Sequence, residues 1–181
     1  FIPKSESYDL RKEDDVKKMF KNFPADIVIH LAARSGILSY LSKYPGAVLY
    51  DHIMMGTLLM EHARLNKVQK LILIGTGVSY PESAPIPLKE DYIWDGYPEK
   101  VAAPYGLAGR IIMALSQAYR EQYGFNSIYL ILSNLYGPED HFEKDKAHVI
   151  PSLIKKIEEA SLNNHSITVW GSGKASREFL Y

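Results

Sequence analysis

Leu71-Ile72-Leu73-Ile74-Gly75-Thr76-Gly77 decides the fold class. Four consecutive large apolar residues stopped by a glycine-flanked threonine read as a buried strand running into a turn, not as one stripe of a surface helix. Upstream, Ile27-Val28-Ile29-His30-Leu31-Ala32-Ala33 has the same character and predicts a strand covered on both faces. Between the two, a helical pattern runs from about Gly46 to Asn66. Before the first strand, Val16, Met19, Phe20 and Phe23 recur at helical spacing and predict a short helix over 14–23. Phe1-Ile2 ahead of Pro3 reads as the tail of a strand.

Downstream, residues 81–104 hold five prolines and no clear period, which predicts a surface loop. A helix then runs from Tyr105 to about Tyr123, followed by a strand over Ser127–Leu132 and a turn at Asn134-Leu135-Tyr136-Gly137-Pro138. Val149–Leu162 reads as a further helix and Ser166–Trp170 as a further strand. Strands alternating with helices predict an α/β fold around a parallel sheet. Ligands in open sheets of this kind lie beyond the carboxyl ends of the strands. Ala32-Ala33, Thr76 and Asn134-Leu135 all fall there, which argues for one composite site.

Composition narrows the function classes. The 181 residues carry 21 basic and 21 acidic side chains, so no net charge points to nucleic acid. Apolar residues at 46% and charged residues at 23% are ordinary for a globular domain. Cysteine is absent, which removes disulfides, thiolate catalysis and thiolate-bound zinc. No metal site is visible; His52 lacks a partner at metal-ligand spacing. No apolar run is long enough to span a bilayer, and Phe1–Asp15 is too charged for a secretory leader, so a cytoplasmic location is expected.

The chemically suggestive stretch is Pro104-Tyr105-Gly106-Leu107-Ala108-Gly109-Arg110. A helix places residues 105 and 109 one turn apart on one face. Moving a proton together with a hydride calls for a tyrosine there and a lysine four residues on, because an ammonium favours the phenolate and lowers the phenol pKa. Tyr105 is present, but position 109 is glycine. Arg110 is about 100° further round the helix and is no simple replacement.

Together with Asp9-Leu10, His30-Leu31-Ala32-Ala33, Gly75-Thr76, Tyr80-Pro81, Pro104-Tyr105, Asn134–Pro138, His148-Val149-Ile150-Pro151, Trp170–Gly173 and Arg177–Leu180, these stretches resemble the extended short-chain dehydrogenase/reductase family of nucleotide-sugar epimerases and dehydratases. The resemblance covers nearly the whole chain, and the last blocks are most like the GDP-L-fucose synthase branch. It implies a Rossmann-like doubly wound parallel sheet over 1–135, incomplete at its N-terminus, and the beginning of a small nucleotide-sugar-binding domain over 136–181. It also implies NADP(H) as cofactor, with NAD the alternative, a GDP-linked sugar as substrate, and a homodimer.

Roles carry over residue by residue. The resemblance implies Thr76, Tyr105 and His148 as catalytic residues: the hydroxyl that orients the sugar oxygen, its proton donor, and the acid/base of epimerisation. It implies Asp9, Leu10, Leu31, Ala32, Ala33, Tyr105, Leu132, Ser133, Asn134, Leu135 and His148 along the cofactor. Lys156, Trp170 and Arg177 would hold the nucleotide-sugar, the two cations facing its pyrophosphate. Three departures stand against this. The motif lysine is Gly109, a cysteine acid/base two residues past the threonine is Val78, and the Gly-rich dinucleotide loop is not in the sequence. The chain therefore reads as an internal piece of a longer protein. The alternatives are a non-catalytic nucleotide- or partner-binding descendant and a related 4-epimerase or 4,6-dehydratase.

Overall fold

The computed structural model describes residues 1–181 except 35–37, 144–146, 170 and 174–175. The chain divides into two compact units, Phe1–Leu132 and Ser133–Tyr181.

The first unit is built on three strands, β1 (Ile27–His30), β2 (Lys70–Thr76) and β3 (Ser127–Leu132), all parallel in the order β1-β2-β3. Register pairs Val28 with Leu71, Leu73 with Tyr129, and Thr76 with Leu132. Helices α1 (Glu13–Asn22), α2 (Leu38–Lys43), α3 (Pro45–Leu65) and α4 (Ala103–Tyr123) complete the unit. α1 begins with Glu13, Asp14 and Asp15, which suit the positive end of its dipole, and buries Val16, Met19 and Phe20 as one stripe. α4 takes Pro104 in its first turn and stops at Gly124, whose φ of 62° is the left-handed cap that glycine adopts freely.

The core lies on one face of the sheet. Leu71 and Leu73 pack there against Val16, Met19 and Phe20 of α1, Leu59, Met60 and Ala63 of α3, and Ile112 of α4. α3 and α4 approach closely: a Cβ at Gly56 would come 2.6 Å from Ile112 Cδ1. The Tyr119 hydroxyl donates to Glu61 (2.8 Å), and Ser116 and Ser127 share a buried hydrogen bond of 2.7 Å that ties α4 to β3.

The opposite face differs from expectation. Ile27 and Ile29 are 59% and 57% exposed, and Ile128 and Leu130 are exposed too. The apolar run at 27–33 is therefore not covered on both sides, because α1, α3 and α4 all contribute to the core on the Leu71 and Leu73 side. β1 also ends at His30, leaving Leu31, Ala32 and Ala33 in exposed chain without regular secondary structure. The proline-rich segment is not wholly irregular: it carries a 3-10 turn at Glu90–Trp94 and a bridge from Pro81 to Pro98.

The second unit contains a two-stranded parallel pair, β4 (Asn134–Leu135) with β5 (Phe179–Leu180), and helix α5 (Val149–Asn163). Residues 166–169 form no strand, contrary to the reading of Ser166–Trp170. Ile167 and Val169 are exposed, and among the described residues no strand pairs with them.

Candidate active site

Parallel strands place their carboxyl ends together, so the ends of β1, β2 and β3 lie side by side. Thr76 is the last residue of β2, and its hydroxyl accepts from Val78 N at 3.5 Å, long for a hydrogen bond. Beyond it, a 3-10 turn at Gly77–Ser79 abuts the start of α4. The contact depends on Gly106, where a Cβ would stand 2.5 Å from the Val78 carbonyl oxygen. That close approach sets Tyr105, its neighbour in the first turn of α4, beside the turn that Thr76 opens.

Tyr105 is half-buried against Leu41, Val48 and Ala102. Burial pushes its phenol above the ordinary value, so the ring is neutral in neutral solution. Its face or edge meets His52 of α3, with ring centroids 4.6 Å apart and planes at 79°. Among the described residues its hydroxyl has no hydrogen-bond partner.

The space where a residue-109 side chain would begin is taken. A Cβ at Gly109 would lie 2.6 Å from the Tyr129 hydroxyl oxygen and 3.0 Å from Ser79 Oγ. Tyr129 rises from β3 and crosses β2 directly over Gly75, where a Cβ would meet its ring at 2.3 Å. Burial raises the Tyr129 phenol to about 12, with the Ser79 hydroxyl partly offsetting it. Gly75 and Gly109 together make the slot that this one tyrosine fills. Arg110 points elsewhere: Nε donates to the Ser79 carbonyl and Nη1 to the Gly96 carbonyl, each at 2.7 Å, with the guanidinium 5.9 Å from the Trp94 ring. It is buried and structural, not a replacement cation for Tyr105.

Near the end of β1 a charged cluster forms that the residue pattern did not disclose. Asp51 of α3, 4% exposed, receives Arg34 Nη1 at 2.6 Å and Arg11 Nη1 at 3.3 Å. Arg11 also grips Asp9 through two bonds of 2.8 Å, holding that carboxyl down at about 2. Asp9-Leu10 thus sits in a turn braced onto α3, with Leu10 packed against the main core. The one available signal was Asp51 itself, a carboxylate set among Val48, Leu49, Ile53, Met54 and Met55 of α3, which demands a cation when buried.

In the second unit, Ser133 precedes β4, and Asn134 donates through Nδ2 to the Glu178 carbonyl at 3.0 Å. Leu135 is exposed on the same short strand. His148 occupies the N-cap of α5 without a side-chain capping bond. Lys156 Nζ reaches the Thr168 carbonyl at 3.4 Å, and Arg177 Nη1 the Ser176 carbonyl at 2.8 Å. Trp170 lies outside the described residues. Asp9, Leu10, Leu31, Ala32, Ala33, Thr76, Tyr105 and Leu132 thus belong to the first unit, with Thr76 and Leu132 paired at the end of the sheet, and the remaining described residues belong to the second.

Comparison with known proteins adds the context. The family model of the NAD dependent epimerase/dehydratase family matches residues 4–181. A GDP-L-fucose synthase of Sinorhizobium fredii is 34% identical over 174 residues, 96% of this chain and 55% of that protein. Among solved structures, a GDP-D-glycero-L-gluco-heptose synthase from Campylobacter jejuni, determined in the presence of NADPH, superposes with a TM-score of 0.89 at 27% identity. It covers 99% of this chain and 62% of that one. A GDP-L-fucose synthetase from Naegleria fowleri bound to NADP gives 0.83 at 30% identity, covering 98% and 58%. The chain spans about half the length of the curated relatives it matches.

Proposed function

The chain belongs to the NAD-dependent epimerase/dehydratase family, and on that premise we propose that it carries the reaction face of an NADP(H)-dependent epimerase-reductase of the GDP-L-fucose synthase type. Its substrate would be a GDP-linked 4-keto-6-deoxy sugar, met in the cytoplasm. The observation that carries the reading is the placement of Tyr105 in the first turn of α4, where the adjoining Gly106 presses on the turn that follows Thr76.

The residues fit the dinucleotide in part. Leu31, Ala32 and Ala33 leave β1 as exposed chain, and two small side chains allow close approach to phosphate and ribose. Asp9, ionised down to about pH 2, can accept from adenosine donors. Leu132, Ser133, Asn134 and Leu135 would border the nicotinamide. At residue 109 the fit fails, because the Tyr129 hydroxyl stands where a lysine stem would begin. When bound, the cofactor supplies the hydride for carbon 4 of the sugar. Thr76 hydrogen-bonds the ketone oxygen, and Tyr105 delivers its proton to that oxygen as it becomes an alkoxide. A neutral phenol suits this direction: reduction needs a proton donor, whereas oxidation needs the phenolate. His148 would exchange protons at the carbons flanking the ketone, and Lys156, Trp170 and Arg177 would hold the pyrophosphate end. A homodimer is the assembly proposed.

Filling of the 109 site favours one second reading, a nucleotide-binding protein that no longer turns over. Titration of the chain with NADPH, followed by calorimetry, and NADPH consumption with the GDP-4-keto sugar separate the two. The first reading expects saturable binding and turnover that Tyr105→Phe abolishes while binding changes less than about threefold. Binding without turnover supports the second. No saturable binding at about 5 mM NADPH, some 3 kcal/mol of affinity, refutes both.

A further inference from the structure

His52 touches two parts of the site directly: the Tyr105 ring and the chain after β1. Its ring meets Tyr105 in an edge-to-face contact, centroids 4.6 Å apart. Its Nε2 lies 3.1 Å from Arg34 N and 3.2 Å from Arg34 O, in the exposed chain that follows β1. One nitrogen facing both a donor and an acceptor keeps a partner in either neutral tautomer: it accepts from the N–H or donates to the carbonyl. The same loop residue is held a second time from α3, because the Arg34 guanidinium bonds Asp51, the residue before His52, as well as the Tyr40 hydroxyl at 2.6 Å.

Tyr105 needs such a support. Its hydroxyl is unpartnered among the described residues, and Gly109 offers no side chain beneath it. Leu41, Val48 and Ala102 give the ring apolar contacts only. We infer that His52 is a positioning residue: a strut that fixes the Tyr105 ring through its own ring and fixes the loop after β1 through Nε2, so that phenol and loop move as one. The inference rests on the reading of Tyr105 as proton donor and of Leu31–Ala33 as the cofactor-side loop, and extends it to how the two are aligned.

The two ends of the strut can be cut separately. His52→Phe keeps a ring for Tyr105 and removes the nitrogen. His52→Gln keeps a polar group for Arg34 and removes the ring. His52→Ala removes both. The chain is labelled at tyrosine Cζ with carbon-13, with Tyr105→Phe identifying the resonance, and the Arg34 amide is followed by hydrogen exchange. The expected pattern is crossed. His52→Phe leaves the Tyr105 resonance in place but speeds Arg34 exchange at least about tenfold. His52→Gln shifts the resonance but holds exchange within about threefold, and His52→Ala changes both. Equal loss of both signals in the Phe and Gln variants would reduce His52 to a packing residue and overturn the inference, as would an Ala variant with neither signal changed. Should the Ala variant fail to fold, the Phe and Gln pair decides alone. Neither readout needs a ligand, so NADPH titration of the same samples tests the functional reading separately.

Discussion

Gly109→Ala should destabilise this protein, although it replaces a glycine inside a 21-residue helix. Helix propensity alone predicts a gain of about 1 kcal/mol. Against it stands the new Cβ, 2.6 Å from the Tyr129 hydroxyl oxygen. Ordinary contact needs the oxygen to retreat by roughly 1 Å. The ring cannot simply drop, because it already rests on Gly75, with no room there even for a Cβ. Overpacking of this kind costs about 1–3 kcal/mol, so the net effect is a loss of up to about 2 kcal/mol. Tyr129→Phe removes the clashing atom. The nearest atom of that residue then stands 3.9 Å from the Cβ, and only Ser79 Oγ at 3.0 Å must turn aside. In that background Gly109→Ala should recover most of the propensity gain. Urea unfolding of wild type, both single variants and the double variant, fitted with a common slope, gives the coupling. It should be about 1–3 kcal/mol. A stabilising Gly109→Ala in the wild-type background, or additivity within about 0.5 kcal/mol, would show that Tyr129 does not fill the 109 site. Gly109→Lys meets the same obstacle first, so it should restore little unless Tyr129 is also replaced.

His30 is held down at about 4 by burial and by the nearby His52 imidazole. The unfolded chain protonates near 6.5 and the folded chain does not, so this stability is complete above about pH 6.5 and falls as pH drops towards 4. It then levels off, for a total on the order of 2–3 kcal/mol; His30→Gln should flatten the urea-midpoint profile across that window. Arg110→Met should cost about 2–4 kcal/mol in thermal or urea unfolding, because the Ser79 and Gly96 carbonyls lose their donors; a loss below about 0.5 kcal/mol would contradict the bonding described. Gly106→Ala should lower stability by about 1–3 kcal/mol and slow any turnover, since its Cβ meets a backbone oxygen at 2.5 Å; an unchanged melting temperature would mean that α4 does not press on the turn after Thr76.

The three strands of the sheet and the helix that carries Tyr105 were legible in the residues. Continuous apolar runs report burial, and Pro104 and Gly124 mark where α4 starts and stops. The parallel arrangement followed from helices lying between strands. What stayed hidden was what one element places into another. Periodicity cannot disclose that Tyr129 of β3 reaches the 109 position of α4, nor that Arg110 turns back to two carbonyls. His52 was judged by the spacing of metal ligands, yet its partners are a ring from α4 and a main-chain segment after β1. The bare Ile27 and Ile29 face was illegible for a related reason: a run of isoleucines records that a strand can be buried twice, not that two layers are at hand. The strand expected from Ser166 onward, which residues 166–169 do not form, is the same error on a smaller scale.

The Arg110 guanidinium has a bearing on motion. It spans the turn after β2 and the segment near Gly96, and lies over Trp94, so the stretch from about 77 to 98 is anchored at both ends to one buried cation of α4. Peeling that stretch away would give up both guanidinium–carbonyl bonds and the contact with Trp94, a net cost of about 2–4 kcal/mol. Opening of the stretch alone is disfavoured by that amount while α4 stays docked. Amide exchange in the Glu90–Trp94 turn should therefore keep pace with exchange in the first turns of α4.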